Sequence, residues 1–137
     1  MLRCSNATVS WRAKDPVMTV EQLLQKIRTQ PAAVTFDEVI ATINAHYEYT
    51  PTRFINGLSD ARAVNEAGQN EGSCRIFAFA RLHGLAQAET LACFGRFYLE
   101  DVLGNPAGTD HANIRHFMRD GWAGVVFDGE PLAPKQQ

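Results

Sequence analysis

Between Cys74 and His83 the chain carries Ile76, Phe77, Ala78, Phe79, Ala80 and Leu82, with Gly72 ahead of the run and Gly84 behind it. At about 100° per residue, these side chains would cover most of the circumference of a helix. A helix that is apolar nearly all round must be enclosed by neighbours. The run therefore predicts a central helix over residues 74–83, around which the remaining elements pack. Ser73 is placed to cap its start, and Gly84 to end it in the left-handed conformation.

The enclosing elements are readable on both sides. Thr19 with Gln22, and Thr35 with Glu38, each form a capping box ahead of an apolar stripe. The first stripe is Val20, Leu23, Leu24 and Ile27, and it must stop before Pro31. The second is Phe36, Val39, Ile40 and Ile43, running to about His46. A further helix is expected from about Gln87 to Leu103, with Leu91, Phe94, Tyr98 and Val102 inward. The last starts near Thr109 or Asp110 and ends by Gly121, with Ile114, Phe117 and Met118 inward. From Tyr47 to Ser73 the pattern is irregular, broken at Thr50-Pro51, Asn56-Gly57, Gly68 and Gly72. Only Arg53 to Ile55, Ala63-Val64 and, near the end, Val125 to Phe127 look like strands. The expected fold is mainly α, or α+β if those strands pair, with about five helices around the apolar one.

Hydrophobic residues make up 45% and charged residues 20% of the 137-residue chain, a balance that supports folding. Residues 18–134 are expected to form a single globular domain. Met1 to Val17 lack any period and are expected to be a poorly ordered extension or a leader, with translation beginning at Met1 or Met18. A net charge of -2 without basic clusters argues against nucleic acid as a partner. No apolar stretch approaches the length of a membrane span. Cys4, Cys74 and Cys93 are far apart, with no CxxC pair and no zinc-type spacing, so a reducing cytoplasm is the simplest setting and no cofactor is implied.

Three blocks carry a resemblance to a known family: AHYEYTPTRFING at Ala45 to Gly57, NEAGQNEGSCRIFAFARLHGL at Asn65 to Leu85, and DHANIRHFMRDGW at Asp110 to Trp122. Together they resemble the HopJ family of type III effectors, over about Met18 to Pro134. The resemblance implies export by type III secretion and an unknown protein partner or small ligand. It implies no catalytic residues.

The candidate site residues fall into three groups. Cys74, at a helix start, resembles the nucleophile of transglutaminase-like or hydrolase-like cysteine enzymes, with His111 and Asp128 following in the order nucleophile, base, acid. Alternatively, Cys74 is a small buried thiol. Tyr47, Tyr49, Asn70 and Arg75, with His46, Glu71 and His116 near them, could line a small-molecule pocket. The loop Gly68 to Ser73 can offer main-chain N–H groups to an anion. It lacks the phosphate-loop spacing and lysine, however, and is read as a structural turn. His111 and His116, five apart on a helix, diverge by about 140° and cannot share a metal in the i, i+4 manner, so no metal site is assigned. Glu100 and Asp101 diverge on a helix and are read as solvated. Lacking a strong catalytic constellation, the chain is expected to be an effector-like protein acting by interaction. A Cys74-dependent enzyme and a small-molecule binding module are the alternatives.

Overall fold

Both capping boxes are formed, and each starts a helix. The computed structural model describes residues 17–135; the extension expected over Met1 to Val17 lies, apart from Val17, outside the described residues. Helix α1 (Val20–Thr29) begins at Thr19, whose hydroxyl accepts from the Gln22 N–H while the Gln22 side chain accepts from the Thr19 N–H. Helix α2 (Phe36–His46) begins at Thr35 in the same way. Glu38 has a second task, because Lys26 donates to it at 2.9 Å and so ties α1 to α2. The two helices turn Leu23, Ile27, Val39 and Ile43 into the core.

Helix α3 (Glu71–Leu82) contains the apolar run but starts earlier than the sequence suggests. Asn70, at φ 50°, is its N-cap, and Ser73 lies inside the first turn rather than before it. Cys74 and Ile76 through Ala80 are buried, whereas Arg81 and Leu82 are exposed, so solvent reaches one side of its last turn. Gly84, at φ 64°, ends it as expected. The Leu85 N–H donates back to Ala80 O at 2.9 Å and the Gly84 N–H to Arg81 O at 3.2 Å, satisfying two terminal carbonyls.

The expected single helix from Gln87 to Leu103 is broken. Helix α4 stops at Ala92 (Gln87–Ala92), and a π-helical stretch follows over Phe97–Val102. The break is at Gly95, φ 58°, which lies so close to the loop before α2 that a Cβ there would sit 2.8 Å from the Phe36 nitrogen. Helix α5 (Ala112–Asp120) starts after His111, which has left-handed geometry at φ 54° and is not helical.

Five short strands lie among the described residues: β1 (Tyr47–Tyr49), β2 (Phe54–Asn56), β3 (Ala63–Asn65), β4 (Val125–Phe127) and β5 (Leu132–Pro134). One sheet has the order β3-β2-β4, all antiparallel, with Ile55 opposite Val64 and Val126. The other pairs β1 with β5, two strands the sequence did not announce. The strands do pair, so the fold is α+β. The sheet and the helices meet at Phe77 of α3, whose ring packs against Phe54, Phe94, Phe117 and Trp122 at centroid distances of 5.0–6.3 Å. Among the described residues no helix is long and apolar enough to cross a membrane.

Candidate functional site

Helices α3 and α5 both begin at one cleft of about 490 Å³. Their caps, Asn70 and His111, are the two non-glycine residues with positive φ among the described residues, and both line it. Left-handed geometry is uncommon outside glycine, although Asn and His adopt it more readily than most residues. Neither cap side chain bonds to its own helix. The first-turn N–H groups of Gly72, Ser73, Ala112 and Asn113 accordingly have no partner among the described residues.

Buried asparagines form the wall behind the caps. Asn56, Asn65 and Asn113 are 0%, 2% and 7% exposed. Asn56 Nδ2 donates to Asn113 O at 2.7 Å and to Asn113 Oδ1 at 3.1 Å. Asn65 Nδ2 also donates to Asn113 Oδ1 at 3.1 Å, while Asn65 Oδ1 accepts from Asn113 at 2.9 Å and from Asn70 at 2.7 Å. An amide oxygen has two lone pairs, so both acceptor sites of Asn65 and of Asn113 are filled. Asn56 Oδ1 is buried without a partner among the described residues, which costs about 1–3 kcal/mol.

His111 closes one side of the cleft. Its ring lies over Phe97 at 5.3 Å, and its Nε2 is 3.0 Å from Asp101 and 3.9 Å from Asp110. Asp101 belongs to the π-helical stretch and partners His111, so it is not merely solvated. Asp110 is held below the usual carboxylate range, chiefly by its hydrogen bond from Arg115 at 2.6 Å.

The remaining sequence-predicted residues lie elsewhere. Cys74 is 1% exposed, and its thiol donates to Thr52 O at 3.7 Å. Burial pushes that thiol up, outweighing the opposing effects of Tyr49, Thr52 and Arg75. Burial, then Cys74 and Glu71, likewise push the Tyr49 phenol up. Arg75 stacks over the Tyr49 ring at 3.9 Å. Asp128 takes an ion pair from Arg53 at 3.3 Å. Cys74, His111 and Asp128 therefore each have separate partners. Tyr47 and His83 lie 2.7 Å apart, His46 binds Met18 O at 2.9 Å, and Arg119 donates to His116 at 2.8 Å. Of the residues singled out from sequence, Asn70 and His111 line the cleft. Gly72 and Ser73, from the Gly68 to Ser73 loop, line it as well, and so do Asn65 and Asn113, which were not singled out. A signal for the asparagines existed. Asn56 shares the inward face of β2 with Phe54, two residues away, and Asn113 sits beside Ile114 on the buried side of α5.

Fold and cleft together define a small α+β protein with a recess of about 490 Å³ framed by the starts of α3 and α5. The chain belongs to the HopJ type III effector family, whose pattern matches residues 20–132. A solved structure described as the crystal structure of unknown function protein VPA0580 is 42% identical, with a TM-score of 0.82. The match covers 93% of this chain and 100% of that one. No curated protein matches.

Proposed function

We propose that this protein is an effector that acts by binding, and that the cleft between α3 and α5 is where it binds. The observation that carries this is the pair of left-handed caps, Asn70 and His111, at a single recess where the N–H groups of Gly72, Ser73, Ala112 and Asn113 have no partner among the described residues. Such groups are costly to bury and favourable to cover with a ligand. Binding is favoured over Cys74 chemistry because the thiol is buried, its ionisation is suppressed, and His111 is engaged with Asp101.

Two experiments test the two halves. A metabolite library screened by thermal shift is expected to yield ligands that perturb amide resonances of Gly72, Ser73, Ala112 and Asn113. Hits that perturb only other regions would remove the cleft from consideration. Fusion to a translocation reporter in a secretion-competent strain is expected to give a signal that is lost in a secretion mutant. Equal signals in both strains would end the effector assignment.

A further inference from the structure

We infer that a groove at the far end of α3 takes an extended peptide segment of a partner protein, which pairs with the free edges of β4 and β5. The groove is separate from the cleft between α3 and α5. It has a volume of about 330 Å³ and lies between the last turns of α3 and the segment that joins β4 to β5. Hydrogen-bonded residues alternate along an antiparallel pair. Asp128 N–H donates to Arg53 O and Gly57 N–H to Gly124 O, both at 3.0 Å, so Val126 is the residue of β4 whose main chain faces β2. Phe127 therefore turns its N–H and C=O the other way. Thr50 N–H donates to Pro131 O at 2.8 Å and Lys135 N–H to His46 O at 3.0 Å, so Ala133 faces β1 and Leu132 turns its N–H and C=O outward. Strands β4 and β5 do not pair with each other, and these four main-chain groups have no partner among the described residues. Phe127 and Leu132 both line the groove.

The helix wall of the groove points the same way on separate grounds. Ala78 and Leu82, one turn apart on α3, line it, and Leu82 is 55% exposed on a helix that is buried from Ile76 to Ala80. An apolar side chain laid against Leu82 would take that surface out of water. A free strand edge alternates donors and acceptors, and its complement is another extended backbone, which also sends every second side chain to one face. A single extended segment thus answers the edges with its main chain and Leu82 with a side chain, which neither a simple ion nor an apolar small molecule does. Arg81 and Glu130 line the groove too, and neither has an ion-pair partner among the described residues. Charges of both signs suit a peptide, whose acidic residue meets Arg81 and whose basic residue meets Glu130. Pro134, next on the outward side of β5, has no N–H, so the donors of that edge end at Leu132 and the paired stretch is short.

The test selects binders to the full chain from a random library of short peptides displayed on phage, then titrates the synthesised peptides into the isotope-labelled protein. Selected peptides are expected to slow hydrogen exchange at the Phe127 and Leu132 amides while leaving the Ser73 and Asn113 amides of the cleft unchanged. They are also expected to bind Leu82→Lys about tenfold more weakly than the parent. Leu82 is exposed and close to the α3 C-terminus, where a cation is favoured, so this variant keeps its fold and its Tm. The inference is overturned if the library yields no binder, if the binders protect neither amide, or if they bind Leu82→Lys as tightly as the parent. Protection of the same two amides by rising protein concentration alone, as a dimer forms, would make the occupant a second copy and likewise remove the partner segment.

Discussion

Asn70 and His111 show how single residues are spent on the cleft. Each is an N-cap that does not cap, held at a positive φ with its side chain turned to other uses. Asn70 donates to the buried Asn65 at 2.7 Å, and that bond is worth about 1 kcal/mol. Asn70→Gly loses the bond but removes the backbone cost, whereas Asn70→Ala loses the bond and keeps the cost. Urea unfolding is therefore expected to show Asn70→Ala destabilised by about 1 kcal/mol, and Asn70→Gly by less or not at all, because the relieved backbone cost offsets the lost bond. Equal losses would mean that the left-handed geometry is not strained. The cysteines allow a second measurement. Burial raises Cys74 and pushes Cys93 up to about 12, with Glu89 adding to the latter. Thiolate is the reactive form, so iodoacetamide near neutral pH is expected to label both slowly in the folded protein and rapidly in denaturant. Fast labelling of Cys74 in the folded chain would revive it as a nucleophile.

Elements were legible wherever their signals were local. The boxes at Thr19 and Thr35 involve residues three apart, and both form as written. Thr35→Ala is expected to cost about 1 kcal/mol in chemical denaturation. Gly95→Ala should cost more, because it combines a positive φ with a clash against the Phe36 backbone at 2.8 Å. A Gly95→Ala chain as stable as the parent would show that the break in the α4 region does not depend on that approach. This break was invisible in the sequence, where Leu91, Phe94, Tyr98 and Val102 continue a helical stripe straight through Gly95. A neighbouring loop forces the turn there, and the π-helical stretch beyond it then sets Asp101 against His111. Strands β1 and β5 were missed for the same kind of reason. Tyr47–Tyr49 pairs with a segment that returns from the far end of the chain, and that segment carries two prolines, Pro131 and Pro134, in place of a strand-like run.

At the scale of the whole molecule, pH acts through groups shared between elements. His83, beside Tyr47, is lowered chiefly by burial, with Arg28 adding and Glu21 opposing. A histidine whose folded value lies below its unfolded value of about 6.5 takes up its proton more readily when unfolded. Stability should therefore be full above about pH 6.5 and fall as pH drops below it. Urea unfolding at pH 7.5 and 5.5 measures the difference, and His83→Gln should flatten it. An unchanged slope in that variant would place the dependence elsewhere. The same contrast between near and distant partners separates what was readable from what was not. Helix starts, the glycine stop at Gly84, the buried run over Ile76 to Ala80 and the family were all written in neighbouring residues, because caps, periods and motifs act within a few positions along the chain. The cleft was not, because Asn56, Asn65, Asn70 and Asn113 become one network only when β2, β3, α3 and α5 are brought together. A buried asparagine and a solvated one look alike in sequence, and it is long-range packing that removes water from three of these four and leaves their hydrogen bonds to one another.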